Sequence, residues 1–381
     1  MAPIRTAFIG ISSSTSSWAA KAHLPYLVSQ RGREKFEIVA LYNLSVEAAQ
    51  HAIKIYDFPP TTKAYGDPEK VAADLDIDLV VNCTRVDLHY TTTLPSVRAG
   101  KAVYVEWPLA HDVDHARKLA SAARQSGSRT VVGNQGRISP IVLKIKELLG
   151  QELIGKVLSS EFRASGGPFD GDIVSLQYKF LTQKASGGNV VSISFAHLWD
   201  LVQSVLGEVV ELRPNLQIQR SNIRVIDPHT MSIVETVRTD VPDLINITGT
   251  IAPSDTVVDG AKLLARYRRG EPFPEEPALV WVINGEREIR LVSPGSSALH
   301  ATAYFKPVTL EVHSFASGSI QRVDWSWSDW KKELPIVSRS VGALYEAFTD
   351  QTQLPIQAFD LATHRLEQLY GILADKNIQQ N

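Results

Sequence analysis

Over the first 133 residues, short apolar runs alternate with stretches whose apolar positions recur every three to four residues. The runs predict strands at Thr6–Ile11, Glu37–Tyr42, Asp78–Cys83, Ala102–Val105 and Arg129–Val132. Between them the longer period predicts helices around Trp18–Ser29, Val46–Tyr56, Asp67–Asp74, Thr91–Ala99 and Val113–Gln125. Apolar strands separated by helices belong to a parallel sheet covered on both faces, an α/β doubly wound domain over residues 1–133.

Ser139-Pro140 then opens a helix that runs to about Gly150, serine as cap and proline in the first turn. From Gly155 the period changes to two. Strands are predicted at Val157–Ala164, Val209–Ile218, Ser232–Thr239, Leu244–Ile251, Lys262–Tyr267, Leu279–Ile283, Glu288–Val292 and Thr302–Val312. One helix, Asn189–Leu206, interrupts them, and helices near Val337–Thr349 and Phe359–Ala374 close the chain. Residues 134–381 therefore read as an α+β domain with a large, open, mostly antiparallel sheet, the last helix packing back on the first domain.

The 381 residues are 44% hydrophobic and carry a net charge of −2, so no basic surface calls for nucleic acid or an anionic membrane. Cys83 is the single cysteine, which excludes an intrachain disulfide and a cysteine-built zinc site, and no metal ligand set is assigned. No apolar stretch reaches the ~20 residues of a bilayer span. The N-terminus enters a strand without a signal-peptide core, so the expected location is cytoplasmic.

In doubly wound sheets ligands sit beyond the carboxyl ends of the strands. Those ends carry Gly10, Ser12, Ser13 and Ser14; Asn43; Thr84, Arg85 and His89; Glu106 and Trp107; and Gln135. With Trp18 at the first helix, they form a dinucleotide site by position. Of the expected G-x-G-x-x-G only Gly10 survives, in a serine-rich turn. Asn43 stands where an NAD-specific protein places Asp or Glu on the ribose; a neutral amide permits NADP as well as NAD, and the residue equally suits a strand-end turn.

Val105-Glu106-Trp107-Pro108 resembles the Glu-Lys-Pro signature of the glucose–fructose oxidoreductase/inositol dehydrogenase/MocA (Gfo/Idh/MocA) family, with an indole in place of the lysine. Ser17-Trp18-Ala19-Ala20-Lys21-Ala22-His23-Leu24-Pro25, Gln135–Pro140, Phe195-Ala196-His197 with Asp200, and Val241-Pro242-Asp243 resemble the branch containing the fungal galactose-regulon repressor. The resemblance implies an N-terminal Rossmann domain that binds NAD or NADP. It also implies a C-terminal sheet domain through which homodimers or higher oligomers form. His89 resembles the histidine of the loop beside the nicotinamide ribose. The family pattern of aspartate, histidine and aspartate falls here on Ile193, His197 and Asp200, so the histidine and second aspartate persist.

Catalytic candidates are thus His197, Trp107, Glu106 and Asp200. A histidine suits proton exchange with a substrate hydroxyl or carbonyl; as a buried tie between helix and sheet it reads equally well. A lysine would donate to a substrate oxygen, whereas Trp107 offers one N–H and a flat apolar face. The leading expectation is an oxidoreductase acting on a small, relatively apolar carbonyl, imine or alcohol. The alternative is a non-catalytic, dinucleotide-binding regulator with a protein partner, cytoplasmic or nuclear; a weaker one is a non-redox enzyme using the same pocket. The tryptophans at 325, 327 and 330 read as packing or a subunit contact.

Overall fold

The computed structural model describes residues 2–167, 171–350, 356–374 and 378–380. The chain forms two compact units: Met1–Gln135 with Ser328–Gln368, and Gly136–Trp327 with Leu369–Asn381.

Six parallel strands build the first unit: β1 (Ile4–Ile9), β2 (Phe36–Tyr42), β3 (Lys63–Tyr65), β4 (Leu79–Asn82), β5 (Ala102–Val105) and β6 (Thr130–Val132). Their order is β3-β2-β1-β4-β5-β6, so the winding reverses between β1 and β4. Phe8, Ile9, Val80, Val81, Val103, Val105 and Val131 are fully buried, as helices on both faces require. Local chemistry sets the helix ends. Ser45 and Asp112 accept from backbone N–H groups three residues on, and Gly127 ends its helix in the left-handed conformation at φ 71°. In the same unit Tyr345, from helix Ile336–Asp350, stacks on Tyr26 and Tyr104.

Eleven further strands, and the short β18 (Gln379–Gln380), belong to the second unit. Nine form one sheet in the order β17-β16-β15-β14-β7-β13-β12-β9-β18. They are β7 (Val157–Gly166), β9 (Val209–Ile218), β12 (Leu244–Ile251), β13 (Val257–Arg269), β14 (Leu279–Asn284), β15 (Arg287–Ser293), β16 (Thr309–Ser314), β17 (Ile320–Arg322) and β18. Pairing is antiparallel except β7 with β13 and β9 with β18. Strands β8 (Ile173–Ser175), β10 (Asn222–Ile226) and β11 (Ile233–Arg238) make a small separate sheet. The helix Ala196–Leu206 lies on the large sheet through Phe195 against Tyr267 of β13, ring centroids 5.9 Å apart. Alternation leaves Leu158, Val210 and Leu264 exposed on the sheet, among Glu161, Arg213 and Lys262.

Several expected boundaries shift. The strand expected over Thr302–Val312 begins as a 3-10 turn, Thr302–Phe305, and pairs only from Thr309. Pro307 has no N–H to give a ladder there. The helix expected from Thr91 starts at Val86. β3, partly buried, and β17, exposed, are three residues long and carry too few apolar positions to announce themselves.

Candidate functional site

The reversal between β1 and β4 opens space at the carboxyl ends of those strands. Gly10, the first residue past β1, adopts φ 94°, and a Cβ there would lie 2.8 Å from the Cys83 carbonyl oxygen. The two strand ends meet that closely only because residue 10 lacks a side chain. Ser12, Ser13 and Ser14 are exposed, and the Tyr56 hydroxyl donates to the Ser12 and Ser14 carbonyls, holding the loop. A π-helical turn, Ala19–His23, follows and runs into Leu24–Leu27. Asn43 donates from its amide to the Ile11 carbonyl at 2.8 Å, tying the end of β2 to the same loop.

Asn82, fully buried at the end of β4, went unremarked in the sequence although it is a polar residue closing an apolar run. Its amide donates to Thr92 and Thr93, and its oxygen accepts from the Thr84 N–H and hydroxyl. Arg85 pairs with Asp87. His89 reaches the Pro108 carbonyl with Nδ1 at 2.8 Å and the Thr84 carbonyl with Nε2 at 3.0 Å. Burial holds its pKa below the ordinary histidine value. His89 therefore laces together the loops after β4 and β5.

Glu106 turns inward. One carboxylate oxygen accepts from the Trp18 indole at 3.0 Å; the other faces His23 Nε2 at 3.1 Å and the Tyr104 hydroxyl at 2.7 Å. Its N–H donates to the Asn82 carbonyl. A Cβ at residue 133 would approach Glu106 Oε1 to 2.5 Å, so Gly133 makes room for the carboxylate. With these partners Glu106 is an anchor for the turn that follows, and Trp18 belongs to that anchor. Trp107 is buried and joined to Pro108 by a cis peptide bond.

Gln135 differs from its neighbours. It is fully buried, and neither atom of its amide has a hydrogen-bond partner among the described residues. Unsatisfied buried amides are costly, and a ligand that supplies both a donor and an acceptor removes the cost. The glycine cradle at Gly10 and the open amide of Gln135 fit a dinucleotide held at the strand ends.

The second unit holds the other candidates. Asn189 and Ser192 form a reciprocal cap for a π-helical segment, Val190–Phe195, that leads into Ala196–Leu206. A π-turn inside a helix is frequent at functional sites. His197 follows at once, and desolvation depresses its pKa to about 3. Its ring stacks on His300, centroids 3.9 Å apart and 15° from parallel. Asp200 is bound by Arg137, whose Nε and Nη2 donate to the two carboxylate oxygens at 2.6 and 2.5 Å. The pair is almost wholly buried. Burial and the nearby Arg137 guanidinium push the Lys146 ammonium down to about 8. The buried Tyr267 hydroxyl sits near Ser194 and Ser297 without a well-formed hydrogen bond to either; burial raises its pKa.

Arg137, Tyr267 and His300 were absent from the sequence candidates. Arg137 lies within Gln135–Pro140, a segment that carries the resemblance, and the buried Asp200 takes it as a partner. His300 lies in the irregular stretch after β15 and gave no periodic signal.

Residues 4–134 match the family model described as the oxidoreductase family with an NAD-binding Rossmann fold, and residues 140–293 match that of the Gal80p C-terminal domain. The chain is 30% identical over 371 residues to dehydrogenase aclE of Aspergillus oryzae, covering 97% of this chain and 95% of that one. It is 31% identical over 208 residues to the galactose/lactose metabolism regulatory protein GAL80 of Saccharomyces cerevisiae, covering 53% of this chain and 47% of that protein. The fold is similar to a super-repressor mutant of Gal80p from S. cerevisiae, with a TM-score of 0.83 at 21% identity, covering 97% of this chain and 95% of that one.

Proposed function

We infer the function from one premise: the chain belongs to the Gfo/Idh/MocA oxidoreductase family and carries a C-terminal domain of the Gal80 kind. On that premise we propose an NAD(P)-dependent oxidoreductase with a remodelled site, acting on a small, relatively apolar carbonyl, imine or alcohol. Gly10, the Ser12–Ser14 loop, Asn43, Thr84 and Gln135 would hold the dinucleotide. When bound, that group supplies or takes up a hydride.

The chain's own residues do the rest. Neutral His197 presents one ring nitrogen as donor or acceptor toward a substrate oxygen, and the stacked His300 ring holds its plane. Tyr267, with its hydroxyl unsatisfied, is a second proton-handling candidate. Trp107 replaces an ammonium with an apolar face and so disfavours a polyol. Glu106 and Asp200 act as positioning residues through the partners described above.

One observation carries the enzymatic reading: the buried His197, stacked on His300, and the Tyr267 hydroxyl, which has no hydrogen-bond partner among the described residues, lie in one unit. The full-length likeness to a protein named as a dehydrogenase supports it. The second reading, a regulator whose affinity for a protein partner depends on the dinucleotide, is favoured by the missing lysine and the Gal80-like domain. We further assign the open face bearing Leu158, Val210 and Leu264 to a homodimer contact.

The test is titration with NAD and NADP, followed by a panel of carbonyls, imines and polyols assayed by nicotinamide absorbance. Saturable binding with turnover supports the enzyme. Binding without turnover, together with a partner affinity that changes with the dinucleotide, establishes the regulator instead.

A further inference from the structure

Shortly after the Trp107–Pro108 turn, the first unit runs His111-Asp112-Val113-Asp114-His115. Asp112 caps the helix Val113–Ser126, its Oδ1 accepting from the His115 N–H at 2.7 Å. The other oxygen, Oδ2, meets two imidazoles: His111 Nε2 at 3.0 Å and His115 Nδ1 at 2.7 Å. Capping needs only the first of these contacts, so the convergence of two rings on Oδ2 is surplus to the helix. The donor atoms of all three side chains lie within 4.8 Å of one another. The rings incline at 34° with centroids 4.7 Å apart, and Tyr90 packs against His115 at 4.1 Å from the opposite helix, limiting its rotation. About a third of each side chain stays exposed, which gives an ion and its waters a way in.

We propose that His111, Asp112 and His115 form a binding site for a divalent transition metal of the zinc, nickel or copper class, with water in the remaining positions. Two imidazoles and one carboxylate are the donor set such ions prefer, whereas calcium and magnesium favour oxygen alone. Bonds of ~2.0–2.2 Å at tetrahedral angles separate donors by about 3.3 Å, so the observed 2.7 and 3.0 Å must widen by about 0.3–0.6 Å and the two imidazole nitrogens, within 4.8 Å of each other, must settle at the same spacing. His89, the neighbour of Tyr90 on helix Val86–Arg98, holds the Pro108 carbonyl. A bound ion would therefore brace the segment that leads out of the Trp107 turn.

The experiment uses tag-free, full-length protein stripped with chelator and titrated calorimetrically with Zn²⁺ and, separately, Ni²⁺, alongside thermal melts. The expected result is one saturable site and a melting temperature that rises with either ion. His115→Ala should weaken binding at least about tenfold, since even removing a partner of a ligand does that. Asp112→Asn keeps the cap but loses the charge, so it should weaken binding while the metal-free melt stays unchanged. Absence of saturable binding overturns the proposal. So does unchanged affinity in His111→Ala and His115→Ala, which would mean an adventitious ion only.

Discussion

The strand ends of the first unit and the His197 region of the second solve the problem of buried polar groups in different ways. At the strand ends, Asn82, His89 and Glu106 bond one another and the loops around them, while among the described residues both amide atoms of Gln135 stay open. Around His197, Arg137 and Asp200 pair through two hydrogen bonds, while burial favours neutral His197 and the Tyr267 hydroxyl lacks a well-formed bond among the described residues. The first arrangement is a tied rim whose open hydrogen-bonding atoms, among the described residues, include the Gln135 amide and the Asn134 oxygen. The second is a charged brace beside uncharged groups able to move a proton. The difference teaches that an acid at a candidate site can serve geometry: the carboxylates of Glu106 and Asp200 are taken up by Trp18, His23, Tyr104 and Arg137.

That division can be broken most sharply at His197. In an enzyme, His197→Ala should lower turnover ~10²–10⁴-fold while dinucleotide affinity stays within about twofold. Steady-state kinetics beside a binding titration checks this, and intact turnover of an identified substrate would move the proton step to Tyr267 or elsewhere.

Next in size is the brace. Arg137→Ala leaves Asp200 buried without its partner and should cost ~3–5 kcal/mol of stability, read from denaturant unfolding. A double variant, Arg137→Met with Asp200→Leu, should recover much of that loss, because no lone charge remains buried. If the double variant is as unstable as the single, the pair does more than compensate charge.

Gly10→Ala probes the rim. The positive φ and the Cys83 carbonyl make any side chain there unfavourable by about 1–3 kcal/mol, and dinucleotide binding should weaken with it. Normal NAD and NADP titrations in this variant would remove Gly10 from the proposed cradle.

The smallest effect is a pH dependence. His197 has a folded pKa of about 3, against about 6.5 for an unperturbed histidine. Above pH ~6.5 both folded and unfolded chains carry it neutral, and its contribution to stability is complete. As pH falls toward 3 the unfolded chain takes up a proton that the folded one refuses, so stability is lost. His89, also lowered by burial, acts in the same direction. The difference in urea midpoint between pH 7.5 and pH 5 should narrow in His197→Gln; an unchanged difference would place the acid sensitivity elsewhere.

How much of this was readable beforehand depends on how far apart the partners lie in the chain. The alternation of apolar runs and helical periods determined the parallel sheet, and with it the row of residues at its carboxyl ends, because β-strand and helix periods are local properties. Gly10, Asn43, Thr84, Glu106 and Gln135 could thus be named from sequence position alone. What each side chain does could not. Glu106 is filled by Trp18, His23 and Tyr104, up to 88 residues away, and Asp200 by Arg137, 63 residues away. His300 meets His197 only once the segment after β15 has folded onto the helix. The sequence determined which groups stand at the sheet's ends; the tertiary structure alone decided which are satisfied and which remain open, since hydrogen bonds and desolvation depend on neighbours that chain order does not specify.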